Sequence, residues 1–272
     1  SLPYFSKLSD NFHLVARNME TLIDKGQGCL EDANFRLSRE TAILANLSVI
    51  IPVGPNEHSW IQLLECLQEL PAEAEIVLVG TSEPPRSFEH EVLAASLACD
   101  VRWVATSVGR ARQLNAGAAV TSRSYLWFLH ADSLFDPSIV SSLADSLHND
   151  PRALHYFRLK FNTEGMAGMT LNTLGVSFRS RVLSLPFGDQ GFCLSREVFD
   201  QLGRFDESVA FGEDHLLVWA AHRQRIRLQE VDAALVTSSR TYLARGWLRN
   251  TAHNLWRTWI QAFPQWIKYL RS

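Results

Sequence analysis

The sequence predicts an α/β domain whose mostly parallel central sheet is flanked by helices, with helical extensions at both ends. Three observations carry this expectation. Short apolar runs read as buried strands: LSVIIPV at Leu47–Val53, EIVLV at Glu75–Val79 and YLWFL at Tyr125–Leu129. Stretches with helical spacing separate them, the alternation of a parallel sheet covered on both faces. Polar residues then follow the strands directly, and open α/β sheets bind their ligands beyond the carboxyl ends of the strands.

The chain has 272 residues, of which 46% are hydrophobic and 20% charged, an ordinary globular composition. A net charge of -3 gives no reason to expect nucleic-acid binding. Cys29, Cys66, Cys99 and Cys193 form no C-x-x-C pair and read as reduced thiols of a cytosolic protein. No apolar run approaches the roughly 20 residues of a membrane span, and no secretory leader is visible. The expected location is the cytoplasm.

Residues 1–45 read as a helical extension, with Phe12, Val15, Met19 and Leu22 at helical spacing. Its bland role is packing on the main domain, and its alternative is a homodimer contact. The first strand, Leu47–Val53, leads through Pro55-Asn56-Glu57 into a helix with Trp60, Leu63, Leu64, Leu67 and Leu70 on one face. Glu57 suits the start of that helix on dipole grounds alone. Glu75–Val79 is the second strand, followed by the turn Gly80-Thr81-Ser82-Glu83, a helix over Phe88–Ala98 and a third strand over Val101–Ala105.

Gly109 and Arg110 open a helix of small residues, Ala111 to Ala119, narrow enough to lie close on a sheet. The strand Tyr125–Leu129 ends at His130-Ala131-Asp132. Asp132 is a candidate site residue by position, and a helix cap by its ordinary habit. Pro137 begins a helix with Val140, Leu143, Ala144 and Leu147 inward, Leu154–Phe161 is a strand expected to be antiparallel, and Gly165–Leu185 reads as a helix carrying Arg179 and Arg181. Asp189 and Gln190 sit in a turn before another strand, Ser195 caps a short helix over Arg196–Leu202, and Glu213-Asp214 open a helix after Gly212. Adjacent helical side chains point about 100° apart, so at most one of these two carboxylates faces a cleft squarely. A strand over Ile226–Val231 precedes Arg240 and Arg245.

From Arg240 to Ser272 there is no acidic residue, while Trp247, Trp256, Trp259 and Trp266 recur among six basic side chains. A basic, Trp-bearing amphipathic helix suits peripheral contact with a membrane surface. Packing on the domain or on a second copy fits the pattern equally.

The linked segments GRARQLNAG, apolar strand, FLHADS, then GDQ and ED closely resemble the family 2 glycosyltransferases of GT-A fold. They look most like the bacterial branch associated with radical-SAM and selenodomain proteins. The resemblance implies a Rossmann-like GT-A domain over residues 46–239, flanked by the extensions 1–45 and 240–272. It implies an inverting transferase that moves a sugar from a nucleotide-diphosphate donor to an acceptor hydroxyl, with Mg²⁺ or Mn²⁺. Asp132 takes the metal role, and His130 stands where many relatives carry the first Asp of a D-x-D motif. The implied donor-binding residues are Pro52, Val53, Asn56, Glu57, Glu83, Arg110, Asn115, Ala131 and Arg240. Asp189 and Gln190 are implied on the acceptor side, Asp214 as general base and Glu213 as its neighbour. Relatives usually carry an Asp after the second strand to bind uracil. Here Gly80 opens that turn, and Glu83 is the candidate substitute. A sugar-phosphate nucleotidyltransferase and a non-catalytic, nucleotide-binding or membrane-associated GT-A-like protein are the rival readings. Against the first, the loop after the first strand is neither Gly-rich nor basic.

Overall fold

The computed structural model of the chain describes residues 33–161 and 185–237. The predicted helix over 165–185, with Arg179 and Arg181, falls outside the described residues except at its last position, as do Arg240, Arg245 and the amphipathic tail. The chain divides into two compact units, Ser1–Ala42 and Ile43–Ser272. Residues 33–44 form helix α1.

In the second unit strands and helices alternate as β1 (Leu47–Pro52), α2 (Trp60–Cys66), β2 (Glu75–Gly80), α3 (Phe88–Ala94), β3 (Asp100–Ala105), α4 (Arg110–Val120) and β4 (Tyr125–Phe128). Then come β5 (Ser133–Leu134), α5 (Ile139–Asn149), β6 (Leu154–Phe161), a 3₁₀ turn (Gly188–Gln190), β7 (Phe192–Ser195), α6 (Arg196–Gln201), α7 (Glu213–Arg223) and β8 (Leu228–Thr237). The eight strands form one sheet in the order β3-β2-β1-β4-β7-β6-β8-β5. β1, β2, β3 and β4 are mutually parallel, and β7 runs antiparallel to both β4 and β6. β6 therefore points the same way as β1–β4 and is parallel to β8. The antiparallel direction expected of Leu154–Phe161 holds against β7 but not against the first half of the sheet. The strand that reverses is β7.

The strands are apolar throughout because both faces of the sheet are covered. Leu47, Val49 and Ile51 of β1 join one core with Trp60, Leu63, Leu143 and Trp127, while Ile50 joins the other with Val77, Val79, Leu114 and Phe128. This is the period-2 alternation of a strand with an apolar layer on each side. Helix α4 lies close enough for its small residues to matter: a Cβ on Gly117 would stand 2.5 Å from Ile50 Cγ2 and 3.0 Å from Val79 Cγ2. The third helix ends earlier than the predicted Ala98, at Ala94, because Ser96 adopts a left-handed φ of 52° that no helix continues through. The cap expected at Ser195 is present, its Oγ accepting the Val198 N–H at 3.2 Å.

β5 has no counterpart in the sequence reading. It consists of Ser133–Leu134, pairs antiparallel with Val236 and Thr237 at the end of β8, and follows a turn closed by Ser133 N–H donating to His130 O at 3.1 Å. Pairing with the far end of the chain makes these residues a strand, and no local pattern announces it. β8 likewise runs to Thr237 rather than ending near Val231, and its register against β6 shifts at Phe157/Arg158. Among the described residues no helix is long and apolar enough to cross a membrane. Cys66, Cys99 and Cys193 are free thiols.

Candidate active site

The site is assembled at the carboxyl end of β4. Phe128 of β4 pairs with Phe192 of β7. His130 lies two residues beyond Phe128 and Gln190 two residues before Phe192, so strand register places the Gly188–Gln190 turn beside the His130–Asp132 tip. The tip is bounded on its other side by β5. Ahead of α5, Asp136 Oδ1 accepts Ser138 N at 3.0 Å and Ser138 Oγ at 2.5 Å. Asp132 remains a half-buried carboxylate in a tight turn.

Helix α7 brings Glu213 and Asp214 to the same place. Its N-cap Gly212 takes a left-handed φ of 78°, which glycine adopts at least cost. The two carboxylates diverge, as adjacent helical residues do. Asp214 Oδ2 accepts the Gly188 N–H at 2.6 Å, and its Oδ1 accepts the His215 N–H at 2.8 Å. Glu213 is buried and reaches Arg110, with Oε1 3.2 Å from Nε. Burial raises the Glu213 pKa above the usual glutamate value; the Arg110 cation opposes this and neighbouring Asp214 adds to it.

Arg110, the first residue of α4, joins the halves of the site. Its Nη2 faces His130 Nε2 within hydrogen-bond reach. Burial first, and then the Arg110 charge, hold the His130 pKa well below the ordinary histidine range. The His130 ring and the Arg110 guanidinium thus meet at the tip. Gly188 completes the arrangement. A Cβ there would lie 3.0 Å from both Asp214 Cβ and Oδ2, and 3.4 Å from Arg110 Nη2, so the turn backbone is pressed between the Asp214 carboxylate and the Arg110 guanidinium.

Other predicted residues are placed elsewhere. Gln190 is 1% exposed; its Oε1 accepts Phe187 N at 3.0 Å and its Nε2 donates to Phe157 O at 2.9 Å. That amide locks the turn to β6. Asp189 in the same turn is half-buried. Asn115 donates to Phe205 O at 2.8 Å and to Glu207 Oε1 at 2.9 Å and accepts Phe205 N at 3.1 Å, pinning the loop before α7. Both sides of its amide are engaged there. Glu57 accepts Ser59 N at 2.8 Å ahead of α2, which is the helix-start alternative. Pro52 ends β1, Val53 is buried, Asn56 is exposed with a left-handed φ of 57°, Glu83 is exposed after β2, and Ala131 is buried in the tip. Two residues went unnoticed in the sequence. Gln113, within GRARQLNAG, donates to Val53 O at 3.0 Å and Val79 O at 2.7 Å and ties the ends of β1 and β2 together. Its signal was an amide among alanines on the face that meets the sheet.

The second is Trp103. A Cβ on Gly80 would lie 2.2 Å from Trp103 Cζ2, and the indole N–H donates to Ser82 O at 2.9 Å. The ring is also walled in by Trp60 and Phe88, at centroid distances of 6.2 and 5.6 Å. Trp103 therefore fills the space in which a carboxylate at position 80 would stand, which is why the expected Asp is absent. Gly80→Ala is predicted to destabilise the fold by about 1–3 kcal/mol, the usual range for overpacking. Adding Trp103→Leu should recover much of that loss in urea denaturation. An unchanged midpoint for Gly80→Ala would contradict the packing argument.

With this geometry in hand, the fold can be set against known structures. TarS 1–349 from S. aureus matches with a TM-score of 0.56 at 17% identity, over 71% of this chain and 60% of that one. Its complex with UDP-GlcNAc gives 0.55 at 16%, over 71% and 58%. GalNAc-T7 with UDP, GalNAc and Mn²⁺ gives 0.54 at 14%, over 71% and 44%. The fold is GT-A. At these identities the likeness is one of fold alone, and the chain spans 36% of the longer TarS structure it matches. No protein-family model matches the sequence, and no curated protein matches it.

Proposed function

We propose that this GT-A protein is a nucleotide-sugar-dependent glycosyltransferase of family 2 type, acting by inversion. The observation that carries the reading is the convergence of Asp214, Arg110 and the Gly188 turn beside the Asp132 tip, at the carboxyl ends of the sheet. Structures of like fold have been solved with UDP-GlcNAc and with UDP, GalNAc and Mn²⁺, which supports a nucleotide-sugar donor here.

The donor set at the tip suits a divalent ion in one specific way. Among the described residues no group of three or more His, Cys, Asp or Glu converges on a point. Asp132 alone offers a hard, anionic oxygen, and Mg²⁺-type ions are commonly held by one or two carboxylates with substrate phosphates and water completing the shell. Asp132 would therefore hold Mg²⁺ or Mn²⁺ together with the donor's diphosphate. When bound, such an ion would offset the negative charge that builds on the leaving diphosphate. Asp214 takes the proton of an acceptor hydroxyl as that oxygen bonds to the anomeric carbon and the bond from carbon to the diphosphate oxygen breaks. The Gly188 N–H fixes which carboxylate oxygen is turned away from the acceptor. Asp189 borders the acceptor side, and the exposed loop at Gly54–Asn56 borders the nucleoside.

Thermal shift against a panel of UDP- and GDP-sugars, with and without Mn²⁺, tests the reading, because a ligand that binds only the native state raises the melting temperature. Asp132→Asn should weaken Mn²⁺-dependent donor binding at least by the roughly 10–100-fold that loss of a mere outer-shell partner costs. Normal metal-dependent binding by that variant would sink the assignment of the tip. No shift with any donor would sink the transferase reading itself.

A further inference from the structure

We infer that Asn115 is a positioning residue for Asp214, an inference that rests on the transferase reading above. Asn115 stands in the middle of helix α4. Asparagine is a poor choice for a helix interior, because its side chain competes for backbone groups. The reason for it lies outside the helix. Its Nδ2 donates to Phe205 O at 2.8 Å and its Oδ1 accepts the Phe205 N–H at 3.1 Å, so one planar amide holds both backbone groups of one residue. Nδ2 also reaches Glu207 Oε1 at 2.9 Å. An ionised aspartate of the same shape has no donor and could keep only the bond from the Phe205 N–H.

The clamped residue begins the segment that delivers Asp214. Phe205 is 3% exposed, and its ring packs on those of Phe128 and Phe199 at centroid distances of 5.0 and 5.4 Å. It follows two left-handed residues, Gly203 at φ 89° and Arg204 at φ 64°. The second is a strained conformation for a side chain larger than glycine, and it persists only where the surroundings enforce it. From Phe205 the contacts run back along α4 toward its first residue. Arg112 Nε stands 3.4 Å from Glu207 Oε2, and Arg110 Nε 3.2 Å from Glu213 Oε1. The five residues from Asn115 to Arg110 span about 7.5 Å of helix axis. Between the contacts, Asp206 Oδ1 accepts Ser208 N at 2.9 Å and Ser208 Oγ at 2.6 Å, a local turn. Left-handed Gly212 then opens α7, whose apolar core contacts begin only at Leu217. The first turn of α7 is thus held at one end by the Phe205 clamp and at the other by the Gly188 N–H, 2.6 Å from Asp214 Oδ2. Helix α4 thereby sets where the carboxylate stands.

The test compares wild type with Asn115→Asp, which loses both donated bonds and faces Glu207 with a like charge, and with Asn115→Leu, which loses all three. Each is checked for an intact melting transition, and if Asn115→Leu does not fold, Asn115→Asp carries the test alone. Amide exchange read by NMR reports on the carboxylate directly, because Asp214 Oδ2 holds the Gly188 proton. Exchange at Gly188 should quicken roughly three- to tenfold, the factor that goes with one hydrogen bond of ordinary net strength, while amides of β1 and β2 keep their protection. Hydrolysis of a UDP- or GDP-sugar puts water in the acceptor's place: its oxygen bonds to the anomeric carbon, Asp214 takes its proton and the bond to the diphosphate oxygen breaks. That rate should fall about tenfold or more, since misplacement of about 1 Å can cost about 10²-fold. Calorimetric binding of the same nucleotide sugar with Mn²⁺ should stay at the wild-type value. Unchanged exchange at Gly188 would overturn the inference, as would an unchanged rate of hydrolysis. Weakened donor binding with unchanged exchange would make Asn115 a donor contact instead. If wild type binds no nucleotide sugar, the transferase reading falls, and exchange at Gly188, which needs no turnover, still decides whether Asn115 holds Asp214 in place.

Discussion

Asp214→Asn is expected to lower the rate of sugar transfer by about 10²–10⁴, the usual contribution of a general base, while donor binding stays near its wild-type value. The geometry explains why the two effects should separate. The carboxylate is tied to the protein through the Gly188 and His215 N–H groups. An amide oxygen can still accept one of these bonds, so the loss of fold stability should be about 1 kcal/mol. What the amide cannot do is take a proton from the acceptor hydroxyl. Turnover with a nucleotide-sugar donor, read beside calorimetric donor binding and the melting temperature, checks all three statements. Transfer at near wild-type rate by the variant would remove Asp214 from the mechanism. Asp189 would then be the next candidate, ahead of Glu213, whose carboxylate is buried against Arg110.

The largest stability effect should come from the opposite end of the sheet. Glu75 opens β2 and is only 6% exposed. Its Oε1 accepts Ser48 Oγ at 2.8 Å, Ser122 N at 2.7 Å and Arg123 N at 3.2 Å, and its Oε2 pairs with Arg102 Nη2 at 2.6 Å. One carboxylate thereby ties β1, β2, β3 and the turn into β4. Burial by itself raises its pKa, but the Ser122, Ser48 and Arg123 hydrogen bonds and the Arg102 charge outweigh it, and the net shift is downward. A folded pKa below the unfolded one means stability that is present above the unfolded value and is lost as pH falls through the folded one. Wild type should therefore weaken progressively below about pH 4.3, the ordinary glutamate value. Glu75→Ala should cost about 2–3 kcal/mol at neutral pH, because it leaves the buried Ser48 hydroxyl unsatisfied, at about 1–3 kcal/mol, and also removes the bonds from Ser122, Arg123 and Arg102. Glu75→Gln should show a shallower acid limb than wild type in urea denaturation between pH 3 and pH 7. Identical acid limbs would mean that the carboxylate carries no such linkage.

The first half of the fold could be read residue by residue because its signals are local. Continuous apolar runs such as LSVIIP and EIVLV mark strands buried on both faces, and the small residues of α4 mark a helix pressed on a sheet. The divergence of Glu213 and Asp214 follows from helical geometry alone, whatever their targets. The positions after strand ends already pointed to the His130–Asp132 tip and to Arg110, since ligand sites in such sheets gather there.

What escaped the sequence depends on partners far along the chain. β5 exists only because Ser133 and Leu134 meet the end of β8, about a hundred residues later. The reversal at β7 was assigned to β6, because strand direction is a property of neighbours and not of the run itself. The amides of Gln190 and Asn115 looked available for ligands, and the fold engages them on backbone groups at Phe157 and Phe205. Gly80 looked like a missing aspartate until Trp103 was seen to occupy its space. The tip as a polar turn beyond a strand end was legible in the sequence alone, because strand ends and their polar residues are local facts. The tertiary structure decided which polar groups meet there: Arg110, Glu213 and Gly188 are brought from separate segments to one turn, where Arg110 meets both His130 and Glu213 and the Gly188 N–H holds Asp214.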